Sequence, residues 1–266
     1  MKTAPEIIAV ANQKGGVGKT TTAINLASAL ALRGQETLLV DLDPQGNTSS
    51  GLGFDKNKLA CSIYPVLMGE KRIHEAICQT SNPYLDIVCA NTELIGAEIE
   101  LVSALARETR LKHALRDVQE SYKFVVIDCP PSLGLLSING VAAATKVVLP
   151  IQSEYYALEG LASFTAALNK IKAAINPDLE IEGVVLTMFD ARVSLGHQVK
   201  AEVEKFFQGA ALKTSIPRNV RLAEAPSFGQ SIFDYDPVSK GAEAYLALAD
   251  EILTKRGFVA ANGENT

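Results

Sequence analysis

An apolar run, Ile7–Ala11, leads through Asn12 and Gln13 into Lys14-Gly15-Gly16-Val17-Gly18-Lys19-Thr20, and a helical pattern from Thr20 to Arg33 follows at once. Few folds can use such a stretch. Closely spaced glycines let consecutive backbone N–H groups turn inward and line a concave anion nest. The N-terminus of the following helix adds the positive end of its dipole. Strand, glycine loop and helix in that order are the context a phosphate-binding loop requires. In that setting Lys19 sits on the β- and γ-phosphates of a nucleotide, and the Thr20 hydroxyl sits on Mg²⁺. The candidate ATP-binding set is therefore Gly15, Gly16, Val17, Gly18, Lys19, Thr20 and Thr21. Lys14 is surplus to an ordinary loop; from the residues alone it is either functional or a solvated rim lysine.

The rest of the chain repeats the alternation. Candidate strands are Ile7–Ala11, Glu36–Asp41, Leu85–Cys89, Lys123–Asp128, Lys146–Ile151, Ile181–Thr187 and about Ala211–Ile216. Their Val, Ile and Leu content, with little polar alternation, is that of strands buried on both faces of a parallel sheet. Candidate helices are Thr20–Arg33, Ala97–Glu120, Leu158–Ala174, Ser194–Phe207 and Pro237–Arg256. Val199, Val203, Phe206 and Phe207 form one expected core stripe, and Ala242, Leu246, Ala249 and Leu253 another. The fold class expected is α/β, a doubly wound, mostly parallel sheet of about seven to eight strands with helices on both faces. Residues 1–256 read as one P-loop domain and 257–266 as a flexible polar tail.

Two strand ends carry acids. "LLVDLDPQGN" places Asp41 and Asp43 at a strand C-terminus, where α/β sheets bind ligands. Residues two apart in an extended chain point the same way, so both carboxylates can face a γ-phosphate and metal. A hydrogen-bonded strand-end role is the other reading of Asp41. "FVVIDCPPSLG" closes an apolar strand on Asp128, a carboxylate suited to hold Mg²⁺ through water. Pro130 and Pro131 stiffen the segment that follows, and Gly134 lets it move.

Composition excludes other classes. The net charge of −5 leaves nucleic-acid binding to a local patch, and the absence of tryptophan argues against stacking on single strands. No apolar run is long enough to span a bilayer. Cys61, Cys78, Cys89 and Cys129 lack C-x-x-C spacing and read as free thiols, and the three histidines are scattered.

The pattern K-G-G-x-G-K-T resembles the deviant Walker A family, with its ParA/Soj, MinD and nitrogenase iron-protein branches. "DLDPQGNTSSGLG", "IDCPPSLGLL", "QSEYYALEG", "LTMFDAR" and "IPRNVRLAEAPSFG" are similar to the chromosomal ParA/Soj branch, over about residues 5–255. The resemblance implies a DNA-segregation ATPase. Lys14 would be the signature lysine that reaches the partner subunit's nucleotide in an ATP-bound homodimer. Asp43 would position the attacking water, making Lys14, Lys19 and Asp43 the catalytic set. Thr20, Asp41 and Asp128 would surround Mg²⁺. Pro217 and Asn219 would meet adenine, and Glu154 would either touch the partner's nucleotide or serve as an interface or cap residue. Arg192 and Arg221, with Lys200 and Arg218, would hold double-stranded DNA without reading sequence. Between Leu186 and Arg221 six Lys or Arg stand against three acids, although a solvated face gives the same excess. A ParB/Spo0J-type partner would stimulate an otherwise slow hydrolysis. The implied location is the cytoplasm, on the nucleoid. "PPSLGLLSINGV" lacks a cysteine for an iron–sulfur cluster. A basic amphipathic helix of the kind that anchors the MinD branch is not expected in "ILTKRGFVAANGENT", so no membrane partner is expected; a MinD-like, membrane-associated division ATPase is the alternative.

Overall fold

The structure is a computed structural model, described for residues 4–154, 157–207 and 209–258. Eight strands form one sheet: β1 Glu6–Val10, β2 Thr37–Asp41, β3 Ile77–Gln79, β4 Leu85–Val88, β5 Phe124–Asp128, β6 Lys146–Gln152, β7 Glu180–Phe189 and β8 Ala211–Pro217. Their order is β3-β4-β2-β5-β1-β6-β7-β8. Every pairing is parallel except that of β3 with β4. The helices are α1 Lys19–Leu32, α2 Asn47–Gly51, α3 Ile63–Met68, α4 Leu94–Glu100, α5 Arg110–Leu115, α6 Leu135–Ala143, α7 Ala157–Ala174, α8 Ser194–Phe206, α9 Val220–Glu224, α10 Ile232–Tyr235 and α11 Lys240–Lys255.

Period-two alternation explains the nearly unbroken apolar strands. Ile8, Val10, Leu39, Phe124 and Val126 pack on one face with Leu26 and Leu30 of α1 and Leu248 of α11. Their neighbours Ala9, Leu38, Val40, Val125 and Ile127 face the opposite core, against Leu136 and Phe164. The central strands β2 and β5 are thus sealed from water on both faces, and each closes on a carboxylate at its C-terminal end.

Register then places the site. Asp41 pairs with Asp128 across β2 and β5, and Val10 pairs with Asp128 across β1 and β5. The glycine loop after β1 and the two acid-bearing strand ends therefore meet on one edge of the sheet. This is where the winding divides, β5 and β2 on one side of β1 and β6 on the other.

The structure corrects several expectations. Ala97–Glu120 is not one helix: α4 ends in a 3₁₀ turn at Leu101–Ser103, and α5 begins only at Arg110. Ala106 adopts φ 53°, outside the helical range. Buried Asn139 of α6 also captures this segment, donating to the Arg107 carbonyl at 2.6 Å and accepting from the Leu111 N–H at 3.2 Å. Phe206 is 64% exposed rather than part of the core stripe, while Val199, Val203 and Phe207 are buried. Leu246 is half-buried, and Tyr245, Leu248 and Ile252 fill the inner face of α11 instead. Edge strand β3 is an addition, too short to show a pattern in the sequence. Of the expected tail 257–266, residues 259–266 lie outside the described residues, as do Tyr155 and Tyr156 of "QSEYYALEG".

Candidate functional site

The glycine loop is pinned from below. Asn12 donates to the Pro150 carbonyl at 2.8 Å and accepts from the Lys14 N–H at 3.0 Å. Gln152 donates to the Gly16 carbonyl at 2.8 Å, and the Thr187 hydroxyl lies 2.8 Å from the Val17 carbonyl. Gly16 and Gly18 sit at φ 76° and 85°, a region that side-chain-bearing residues avoid. Val17 is buried and anchors the loop, while Gly15 and Gly16 are exposed. Gly18 is the N-cap of α1, and no side chain caps it. The first-turn N–H groups of α1, to which Lys19, Thr20 and Thr21 belong, have no intrahelical acceptor and are free to serve an anion.

Lys19 is almost fully buried and donates to the Lys14 carbonyl at 2.9 Å. Burial lowers its pKa, and the nearby Asp128 and Asp43 carboxylates oppose that shift. Asp128 is completely buried. Its Oδ2 accepts from the Thr20 hydroxyl at 2.8 Å and the Thr48 hydroxyl at 2.6 Å; its Oδ1 is buried with no hydrogen-bond partner among the described residues. Burial, then repulsion from Asp41, pushes the Asp128 carboxyl up to about 7. An unpartnered buried carboxylate oxygen beside a threonine hydroxyl and a lysine fits a hydrated Mg²⁺ carried in with triphosphate.

Asp41 is organised differently. Its Oδ1 accepts from the Asp43 N–H at 3.1 Å, and its Oδ2 accepts from the Ser49 N–H at 2.9 Å and hydroxyl at 2.7 Å. The carboxylate thus closes the turn that carries Asp43 and α2. Burial raises it to about 6, against those three bonds. Asp43 is nearly buried, and its Oδ1 accepts from the Gln45 N–H at 2.9 Å. The structure brings Lys19, Thr20, Asp41, Asp43 and Asp128 together.

Lys14 lies on the exposed rim, its ammonium 2.7 Å from Glu154 Oε2. With side chains 43% and 58% exposed, this pair is wet and exchangeable. Beside the loop opens a cleft of about 330 Å³ lined by Gly18, Thr21, Met188, Pro217, Arg218 and Asn219. Asn219 caps α9 by accepting from the Arg221 N–H at 2.8 Å. The cleft's size and mostly apolar walls suit a planar base.

The predicted basic residues are separate from this cleft or on its rim. Arg192, with its side chain 89% exposed, holds Asp190 through Nε at 2.9 Å and Nη2 at 2.7 Å. Arg221 pairs with Glu224 at 2.9 Å and Asp236 at 3.4 Å. Arg218 is exposed at the cleft edge, and Lys200 is half-buried on α8. Sequence reasoning misses Asn12, Thr48, Gln152 and Thr187 as site residues. Only Thr48 carries a visible signal, its place in the polar run Asn47–Ser50 soon after two acids. Gln152 and Thr187 act on the loop from neighbouring strands, and Asn12 ties its entry to the Pro150 carbonyl of β6. Among the described residues no helix is long and apolar enough to cross a membrane.

Comparison with known proteins follows the same lines. Residues 5–181 match the family described as an AAA domain. The chain is 52% identical over 258 residues to the sporulation initiation inhibitor protein Soj of Bacillus subtilis, covering 97% of this chain and 99% of that one. It is 51% identical over 253 residues to the chromosome partitioning protein ParA of Myxococcus xanthus, covering 95% and 89%. A solved structure from Mycobacterium smegmatis, a cobyrinic acid a,c-diamide synthase with bound ADP and magnesium, superposes with a TM-score of 0.84 at 37% identity, covering 95% of this chain and 96% of that one.

Proposed function

Because the chain belongs to the ParA/Soj family of chromosome-partitioning P-loop ATPases, we propose that it is an ATP-driven DNA-segregation switch. ATP fills the loop from Lys14 to Thr21, with Lys19 on the β- and γ-phosphates and adenine in the cleft between Met188 and Asn219. Thr20 and Asp128 would hold Mg²⁺, which when bound would offset the charge of the phosphates. Asp43 orients the attacking water. Asp41, with three hydrogen bonds already accepted, shapes the turn that carries Asp43 beside the metal site.

Lys14 leaves Glu154 and offsets the charge of the partner subunit's nucleotide, so that ATP joins two copies of the chain. In the homodimer the patches around Arg192, Lys200, Arg218 and Arg221 are doubled, and non-specific duplex affinity rises with them. Hydrolysis, slow alone and stimulated by a ParB/Spo0J-type partner, dissolves the dimer and its grip on the nucleoid.

The observation that carries this reading is the meeting of Lys19, Thr20 and Thr48 around Asp128, whose Oδ1 is buried without a partner. Retention on duplex DNA, measured with ATP–Mg²⁺, ADP–Mg²⁺ and no nucleotide across a salt series, tests it. Retention confined to ATP, in a dimer, is the expected result. A chain that stays monomeric in saturating ATP, or holds DNA equally well without nucleotide, refutes it. Sedimentation with liposomes and ATP separates this reading from a MinD-like one.

A further inference from the structure

A second gathering of basic side chains surrounds a cavity of about 300 Å³ beyond the C-terminus of α3. Lys71 and Arg72 line it from the segment after α3, and Arg110 and His113 line it from α5. Asp117 is the one carboxylate-bearing residue among its described lining residues. In a chain of net charge −5 such a wall runs against the overall sign.

The cavity is held in shape. Arg110 Nε donates to the Leu105 carbonyl at 3.1 Å and its Nη1 reaches the Met68 carbonyl at 3.5 Å, which fixes the guanidinium at the rim. Gly69 leaves it room: a Cβ there would stand 3.1 Å from Nη1, on a backbone with φ 80°. The chain enters through Ala106 at φ 53°, a conformation costly for alanine, and Asn139 clamps Arg107 and Leu111 on either side of Arg110. Lys71 is paired with Glu75 at 2.9 Å, but both side chains are well exposed, so the ammonium can exchange that partner for another anion. Arg72 and His113 are exposed.

A guanidinium held in place, a second guanidinium, an ammonium and an imidazole around one concavity match the charge and acceptor geometry of a phosphate group. We propose that this cavity binds a phosphate-bearing ligand, independently of the nucleotide loop. The phosphate can belong to a free phosphorylated compound or to the backbone of duplex DNA.

The test titrates inorganic pyrophosphate, by calorimetry, into the full chain saturated with ADP–Mg²⁺, and in parallel measures the affinity of the ATP–Mg²⁺-bound chain for a short DNA duplex. Arg72→Glu and His113→Glu replace exposed side chains and leave Arg110 in place. Each is expected to weaken pyrophosphate binding about 10-fold, with melting temperature and affinity for a fluorescent ADP analogue unchanged. A parallel loss of duplex affinity identifies the DNA backbone as the source; an unchanged duplex affinity identifies a free phosphorylated compound. Wild-type chain that takes up no pyrophosphate once loaded with ADP, or variants that bind it as tightly as wild type, overturn the proposal.

Discussion

Thr48 donates its hydroxyl to Asp128 Oδ2 at 2.6 Å, although the two residues stand 80 positions apart. Thr20 donates to the same oxygen at 2.8 Å. One carboxylate oxygen thus joins the glycine loop, the end of β5 and helix α2. The Asp128 carboxylate is tied by a direct hydrogen bond to the segment that also carries Asp43.

Replacing Thr48 by valine keeps the shape and removes one of those donors. A buried hydrogen bond to a charged group is worth about 1.5–3 kcal/mol, so the variant melts at a lower temperature. With half of that energy ordering the site, magnesium-dependent ATP turnover falls about 4- to 12-fold. Nucleotide affinity measured in EDTA stays near wild type, and Thr48→Ser restores turnover. Turnover by Thr48→Val at the wild-type rate would separate α2 from the chemistry.

Stability without metal depends on pH through the same carboxylates. Burial raises Asp128 to about 7 and Asp41 to about 6, from an ordinary 3.8. Between about pH 4 and pH 7 the folded chain therefore holds more protons than the unfolded one, and stability falls as pH rises through that window. The loss is of order a few kcal/mol. In urea with EDTA the unfolding midpoint is expected to be lower at pH 8 than at pH 5. Asp128→Asn flattens the difference, and ADP–Mg²⁺ recovers stability at pH 8. A wild-type midpoint that follows pH just as that of Asp128→Asn does would rule out the buried carboxylate as the cause.

The Lys14–Glu154 pair makes opposite demands on its two residues. Exposed pairs of this kind contribute about 0.2–1 kcal/mol, so Glu154→Gln barely moves the melting temperature. It does release Lys14, and light scattering should show ATP-dependent dimers at lower protein concentration. Lys14→Gln should leave ATP affinity intact and keep the chain monomeric. Dimerisation by Lys14→Gln at the wild-type concentration would remove the lysine from the interface.

Much of this architecture is legible because it is local. The loop, its strand and its helix are contiguous, and β2 and β5 announce their acids by ending on them. The two cores are legible as strand composition, since residues such as Ile8 and Ala9 are both apolar while facing opposite ways. What stays hidden depends on residues that meet from far apart in sequence. Nothing near Ala106 marks a helix break; the reason lies partly in Asn139, on another helix. Thr187 and Gln152 support the loop from β7 and β6. The basic wall of Lys71, Arg72 and Arg110 escapes a reading that follows charge along the chain, because two separate segments, one after α3 and one in α5, assemble it.

The same limit applies to Arg192, which the family resemblance assigns to DNA without showing its partner. Its guanidinium makes two bonds to Asp190 and its backbone N–H a third, at 3.0 Å. Those bonds hold the Asp190 carboxyl well below the usual range. Asp190 therefore competes with a DNA phosphate for Arg192, and its charge also repels the phosphate. Asp190→Asn weakens the competitor and removes the repulsion, so the ATP-bound dimer should stay on duplex DNA to higher salt than wild type. Arg192→Glu should elute at lower salt, and the slope of log affinity against log salt should lessen by about 0.9 for each phosphate the variant no longer neutralises. ATP-dependent dimerisation should be unchanged in both variants. Coincident elution of Asp190→Asn, Arg192→Glu and wild type would place the DNA-binding surface elsewhere; premature elution of both variants would make the ion pair itself the functional unit.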